Sequence, residues 1–291
     1  MAGTLNKRAL LIAGPTASGK SALALDLARQ WNGVIINADA LQVYQPLRIL
    51  TARPLPEEEV LAPHKLYGHV GAEQPWSVAA WLGQAQAAMA EAWEQGRLPI
   101  VTGGTGLYFR ALEKGLAPVP PIPDEVRARW RSFTGDLHAE LWQRDPAMAG
   151  RLLATDRQRI TRALEVVEAT GRSLLDWQRQ GQGAAPLEGV ETERIFMDVP
   201  RDELYARAEL RFEQMLAAGA LDEARSMIGR DPMLPAMKAI GLPELIAHRK
   251  GEITLGEASA KAKMATRNYI KRQLTWWRGQ MAHWRAGLGE V

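Results

Sequence analysis

Residues 14–21 read Gly-Pro-Thr-Ala-Ser-Gly-Lys-Ser and fill the pattern GxxxxGK[ST]. The pattern works only between a buried strand and a helix, and both neighbours carry the right signal. ALLIAG (9–14) is an apolar run of strand length, and KSALALDLARQW (20–31) places apolar residues at helical spacing. Gly14 and Gly19 let the chain turn tightly around Pro15, so that the N–H groups of Thr16, Ala17 and Ser18 and the helix start can face an anion. Lys20 supplies a full charge and Ser21 a hydroxyl for Mg²⁺. The plain alternative is an ordinary strand-turn-helix that matches by chance.

The following segments extend this unit into a sheet. VIIN (34–37) and LPIVT (98–102) read as strands, with a helix over 78–96 between them that ends at Gly96. Strand, helix, strand in repetition predicts an α/β fold with a doubly wound parallel sheet. The pattern breaks at APVPPIPDEV (117–126), where the proline density marks a boundary. Beyond it only helical spacing occurs, near 124–134, 145–170 and 173–180, and a linker follows at 181–189. A strand near 194–199 then rejoins the sheet, and helices near 201–218, 220–229 and 257–283 complete the chain. The expected division is a P-loop α/β core of residues 1–117 and 194–291 with an all-helical insertion domain of 118–193.

Of the 291 residues, 46% are hydrophobic and 24% charged, the balance of a globular protein. No apolar run nears the roughly 20 residues that cross a bilayer. The first residues lead into a strand without a small-residue cleavage site, so the expectation is a cytoplasmic protein with no signal peptide. The chain has no cysteine, which removes disulfides, thiolate catalysis and thiolate-bound zinc. The net charge of +3 hides an asymmetry: residues 245–291 carry nine Lys/Arg against Glu252, Glu257 and Glu290, which is +6, leaving −3 elsewhere. Lys263, Arg267, Lys271 and Arg278 alternate with Tyr269, Trp276 and Trp277 there. This suits a polyanionic partner, although a solvated helix face explains such runs more often, and the two tryptophans suit packing better than base stacking.

A phosphate loop does not say what the phosphate is attached to, so kinase and non-kinase readings both stand. LPIVTGGTG ends in Thr102, Gly103, Gly104 and Thr105, without the acidic residue that many P-loop nucleotidases place there. Asp39, at the end of VIINAD, is the nearest substitute and falls at the carboxyl edge of the sheet, where α/β proteins bind ligands. It could equally cap its own turn. Arg207 and Arg211 are four apart on a predicted helix and suit a clamp on phosphate oxygens, or pairing with Glu203, Glu209 or Glu213. Gln158, Arg159 and Arg162 share a helix face suited to RNA, while Ile160 and Leu164 turn to the core.

GPTASGKS, NADALQVY (37–44), TARP (51–54), PH (63–64), GRLPIVTGGTGLYFRAL (96–112), RQRITRALEV (157–166), LYARAELRFEQML (204–216) and TRNYIKRQLTWWR (266–278) follow one another in a single order. In these stretches the chain resembles the tRNA dimethylallyltransferases, also called tRNA isopentenyltransferases, over nearly its whole length. The resemblance implies transfer of a dimethylallyl group from dimethylallyl diphosphate to N6 of adenine 37, in tRNAs reading codons that begin with U. It implies Mg²⁺ as cofactor, with Ser21 as a metal ligand. It makes Asp39 the general base, places Thr105 beside substrate and metal, and puts Lys20 and Arg211 on the diphosphate, with Arg207 a weaker candidate. It assigns tRNA contact to Asp39, Ala40, Leu41, Gln42, Thr105, Arg127, Gln158, Arg159, Ile160, Thr161 and Arg162. Three departures stand out: Ala40 replaces the usual serine, Leu242 and Pro243 follow Gly241 where an arginine is common, and Gly68 falls near the usual acidic position. A monomer is the default expectation. The competing readings are a small-molecule kinase and a nucleotide-gated RNA-binding module without chemistry.

Overall fold

The structure is a computed structural model that describes residues 7–181, 183 and 185–286. Gln182 and Ala184 of the expected linker, and Glu290 of the tail, lie outside the described residues. The chain separates into two compact units, residues 1–113 with 187–291, and residues 114–186.

The first unit is built on six parallel strands: β1 Arg8–Ala13, β2 Gly33–Asn37, β3 His64–Lys65, β4 Leu98–Gly103, β5 Glu191–Phe196 and β6 Arg285–Ala286. They lie in the order β3-β2-β4-β1-β5-β6. β1 is central, with Leu10 opposite Ile100 of β4 and Glu193 of β5. Successive side chains of a strand point to opposite faces, and both faces of this sheet are apolar. Ala9, Leu11 and Ala13 join Val34, Ile36 and Val101 under helices α3 (Val78–Glu94) and α4 (Gly106–Lys114), through Trp81, Met89, Phe109 and Leu112. Leu10 and Ile12 join Ile35 and Ile100 on the other face, under Ala24, Leu27 and Ala28 of α1 (Lys20–Gln30). Burial on both faces is why these strands read as unbroken apolar runs.

Between β2 and β3 lies α2 (Pro56–Leu61). The remaining helices fall into two groups. In the second unit are α5 (Asp124–Ser132), α6 (Leu137–Arg144), α7 (Pro146–Ala149), α8 (Arg157–Thr170) and α9 (Leu174–Arg179). They close over their own core of Val126, Trp130, Leu141, Ile160 and Leu164. The single helix expected over 145–170 is divided: Asp145 accepts from the Met148 N–H to start α7, and Asp156 accepts from the Arg159 N–H to start α8. Gly171, at φ +66°, ends α8.

In the first unit α10 (Arg201–Ala217), α11 (Ala220–Ser226), α12 (Leu242–Arg249) and α13 (Leu255–Gln280) follow β5. The boundary after the insertion comes earlier than the expected residue 193, because Leu187 is buried in the sheet core and β5 begins at Glu191. Trp277 of α13 is buried among Phe109, Phe196 and Trp284, so it is a packing residue. Trp276 lies so close to Gly106 that a side chain there would collide with its ring.

Candidate functional site

The loop from Gly14 to Gly19 connects the buried end of β1 to α1. The Ser18 N–H returns to the Pro15 carbonyl at 3.2 Å, and the turn is completed by Ala17 and Gly19 in the left-handed region, at φ +67° and +88°. Glycine tolerates that conformation, whereas Ala17 holds it at a cost of about 1–2 kcal/mol. Strain of this kind persists where the surroundings enforce it. A Cβ on Gly14 would lie 2.6 Å from the Ser18 Oγ and 2.8 Å from the Met197 Cβ, so only glycine lets the loop close against the end of β5. The Ser18 hydroxyl is itself buried without a hydrogen-bond partner.

Helix α1 has no side-chain cap. Helices α3, α6, α8 and α13 have their first turns capped by Ser77, Asp136, Asp156 and Thr254, whereas α5, α10, α11 and α12 are like α1 in having no side-chain cap. The open amides of α1 and its positive dipole end therefore remain available to an anion.

The turn after β2 is built around a buried asparagine. Asn37 Nδ2 donates to the carbonyls of Asp39 and Leu66, each at 3.0 Å, and its Oδ1 accepts from the Asp39 N–H at 2.8 Å. Asp39 Oδ1 accepts from the Leu41 N–H at 2.9 Å, which fixes the carboxylate in an Asx turn. This is the capping role weighed for Asp39 from sequence; it occupies one lone pair of one oxygen. The Thr105 hydroxyl accepts from the Ala40 N–H at 3.0 Å, and the Thr105 N–H donates to the Ala38 carbonyl at 3.1 Å. The ends of β2 and β4 are thus pressed together, and a Cβ on Gly103 would run into the Ala38 carbonyl.

Lys20 and Arg211 feel the field of Asp39, and Arg211 adds to the field at Lys20. Burial lowers the Lys20 ammonium to about 8, with Asp39 opposing the fall and Arg211 deepening it. Burial also lowers the Arg211 guanidinium, again against the pull of Asp39. Among the described residues neither cation forms an ion pair with a carboxylate, whereas Arg207, Lys263 and Arg267 nearby in the chain or on α13 do so with Glu203, Glu213 and Glu209. Arg207 is therefore corrected as a phosphate ligand: it is exposed and paired with Glu203. Four residues advance about 40° beyond a full turn, which sets Arg211 beside the buried stripe of Leu204, Ala208 and Phe212 and turns Arg207 outward.

Three phenols, Tyr67, Tyr108 and Tyr269, lie within the field of the same carboxylate. Burial raises the pKa of each and the Asp39 charge raises it further, so all three stay protonated donors. The Thr105 hydroxyl partly offsets the rise at Tyr269. Gln273, also on α13, accepts from the Thr16 N–H at 3.0 Å and donates to the Gly104 carbonyl at 2.9 Å. Asn37 and Gln273 are absent from the sequence-derived candidates. Asn37 stands within the motif NADALQVY and Gln273 within TRNYIKRQLTWWR, but neither motif says what its amide side chain binds.

The tRNA-side candidates divide by burial. Gln42 spends its amide on the Thr51 and Ala52 carbonyls, at 2.9 and 2.8 Å, and Leu41 is partly buried against the α11–α12 core. In the helical unit Gln158 and Arg159 are exposed on the first turn of α8, and Arg127 and Thr161 are half-buried. Arg162 is held by Glu165, which is 4% exposed and also pairs with Arg131. Ile160 is fully buried in the helical core, so its side chain is corrected from a contact to a packing residue.

No group of three His, Asp or Glu side chains able to hold a metal occurs among the described residues. Mg²⁺ is commonly held by few protein oxygens together with substrate phosphates and water. The Ser21 hydroxyl, exposed on the first turn of α1, and the partnerless hydroxyls of Ser18 and Thr102 fit that sparse arrangement.

A parallel sheet covered by helices on both faces, with its polar residues collected at the carboxyl ends of β1, β2 and β4, defines an α/β protein that receives its ligand at that edge. Comparison with known proteins is more specific. The family described as IPP transferase matches residues 42–280, and that described as isopentenyl transferase matches residues 7–67. The chain is 56% identical to the tRNA dimethylallyltransferase of Nitrobacter hamburgensis, over 95% of this chain and 89% of that one. It is 54% identical to that of Azorhizobium caulinodans, over 99% and 94%. The crystal structure of the tRNA isopentenylpyrophosphate transferase of Bacillus halodurans superposes with a TM-score of 0.68 at 32% identity, covering 96% of this chain and 90% of that one. The chain belongs to the IPP transferase family, whose members at this level of identity are tRNA dimethylallyltransferases.

Proposed function

We propose that the protein transfers a dimethylallyl group from dimethylallyl diphosphate to N6 of adenine 37 in tRNAs reading codons that begin with U, releasing diphosphate. The observation that carries this reading is the placement of Lys20 and Arg211, two cations without carboxylate partners among the described residues, in the field of Asp39. Cleaving an allylic C–O bond builds negative charge on the leaving diphosphate. Lys20, Arg211 and the open amides of the Gly14–Ser21 loop stabilise charge where it develops. When bound, Mg²⁺ supplies further positive charge to the leaving group, with Ser21 as the residue that would hold it.

Asp39 accepts the proton from the adenine amino group as N6 attacks the allylic carbon. Its carboxylate is oriented for this by the Leu41 N–H and by the Asn37 bonds to its backbone. Thr105 and Tyr269 present hydroxyls beside it. The adenine must leave its stack to reach this site, as bases do in enzymes that act on them. Gln158, Arg159 and Arg127 are the tRNA contacts of the helical unit in this reading, and the Asp39–Gln42 turn is that of the first unit. The protein acts as a monomer in the cytoplasm; no helix among the described residues is long and apolar enough to cross a membrane.

Incubation with dimethylallyl diphosphate, Mg²⁺ and an unmodified tRNA carrying A36-A37-A38 is expected to yield dimethylallyl adenosine without ATP. Phosphorylation of a metabolite by ATP with no such product would instead support a kinase, a reading that the family assignment disfavours. RNA binding with neither product would support a binding module.

A further inference from the structure

Gln273 lies on α13, one turn after Tyr269 and far along the chain from the phosphate loop and Asp39, and only 5% of it is exposed. It is the one polar member of the buried stripe Ala258, Ala262, Ile270, Gln273, Leu274 and Trp277. Burying an amide among apolar neighbours costs free energy unless its groups are paired, and here both are. Its Oε1 takes the Thr16 N–H at the top of the phosphate loop, and its Nε2 gives to the Gly104 carbonyl. Gly104 is fitted to this contact, because a Cβ there would lie 2.5 Å from Nε2 and 3.5 Å from Asp39 Oδ2. From Gly104 the bonding continues through Thr105 to Ala38 and Ala40, which flank Asp39.

We infer that Gln273 is a positioning residue that sets the spacing between the diphosphate cradle and the base Asp39. This rests on the transfer reaction proposed above. One side chain bridges the loop that holds the leaving group and the Gly104–Thr105 segment to which the Asp39 turn is bonded, and no backbone bond joins the phosphate loop and that turn directly among the described residues. Nucleophile, allylic carbon and leaving oxygen must lie in line, and a displacement of about 1 Å can lower a rate by roughly 100-fold. The consequence is a division of kinetic effects: Gln273 governs the transfer step and leaves the affinity for dimethylallyl diphosphate to Lys20, Arg211 and the loop amides.

The test compares wild type, Gln273→Met and Gln273→Glu in the full chain, with melting temperature, kcat and KM for dimethylallyl diphosphate measured on unmodified tRNA. Methionine has similar reach and neither hydrogen bond. Its kcat is expected to fall about 10- to 100-fold with KM changed less than about 3-fold. Glutamate keeps the acceptor for Thr16 and loses the donor to Gly104 unless protonated, and burial favours the protonated form. Its kcat relative to wild type is therefore expected to recover as pH falls from about 8 to about 6. An unchanged kcat in a folded Gln273→Met protein overturns the inference, as does a rise in KM at constant kcat. If the methionine variant does not fold, the glutamate variant decides: a pH-independent ratio to wild type overturns the inference. A wild-type protein that makes no prenylated tRNA removes the parent reading instead, so the two failures are distinct.

Discussion

Asp39 carries more constraints than a surface carboxylate needs. Its backbone is held by Asn37, its Oδ1 by the Leu41 N–H, and its charge raises three neighbouring phenols. Asp39→Ala is expected to lower prenyl transfer by about 10²- to 10⁴-fold, the range of a general base, while calorimetry finds diphosphate binding retained. Near-normal turnover would remove the base assignment. Lys20 yields a prediction in pH. Its free-state value of about 8 lies below the ordinary 10.5, so between these values the unfolded chain binds more protons and stability rises with pH. Diphosphate favours the charged form, so its affinity is expected to be greatest below about pH 8 and to weaken above it, with proton uptake on binding at about pH 8.5. Calorimetry in buffers of different ionisation enthalpy measures that uptake, which Lys20→Met should abolish.

At the scale of elements, the site is made where β2 and β4 end side by side. Gly103→Ala would drive a methyl group into the Ala38 carbonyl, an obstruction in the main chain that no rotamer change relieves. A loss of about 1–3 kcal/mol is expected in urea unfolding, together with reduced transfer because Ala38 adjoins Asp39. The strands and helices of this region are readable from sequence for a physical reason. Strands buried on both faces are apolar throughout, and the phosphate loop is bound to a strand before it and a helix after it. Helix α4 is missing from the expected elements, because GLYFRAL reads as the continuation of a motif. Helix α6 falls between the helices expected near 124–134 and 145–170, α7 is absorbed into the latter, and β3 has only two residues. Among site residues, Lys20, Asp39 and Thr105 stand in recognisable motifs. Gln273 also stands in one, TRNYIKRQLTWWR, but its role is hidden there, since a glutamine in an amphipathic helix reads as surface until its partners are known.

For the whole molecule, composition locates the positive charge but not its use. Three of the nine basic residues on α10 and α13 are paired, Arg207 with Glu203, Lys263 with Glu213 and Arg267 with Glu209, so the count of basic residues overstates the field offered to RNA. Arg159 of the helical unit is mainly exposed, its side chain 75% accessible even beside Asp156. Arg159→Ala and Arg127→Ala are each expected to weaken tRNA binding and to reduce the slope of log K against log salt by about 0.7–0.9 for every phosphate that the side chain neutralises in the wild type. The KM for dimethylallyl diphosphate should not change. Filter binding across a salt series measures the slope, and an unchanged slope in both variants would remove the helical unit from the RNA interface.

The bond from Thr16 to Gln273 spans 257 positions of sequence. Synthesis runs from the N-terminal side, so the phosphate loop exists 257 positions before its partner on α13. A chain that stops before α13 therefore holds the loop without the Thr16–Gln273 bond.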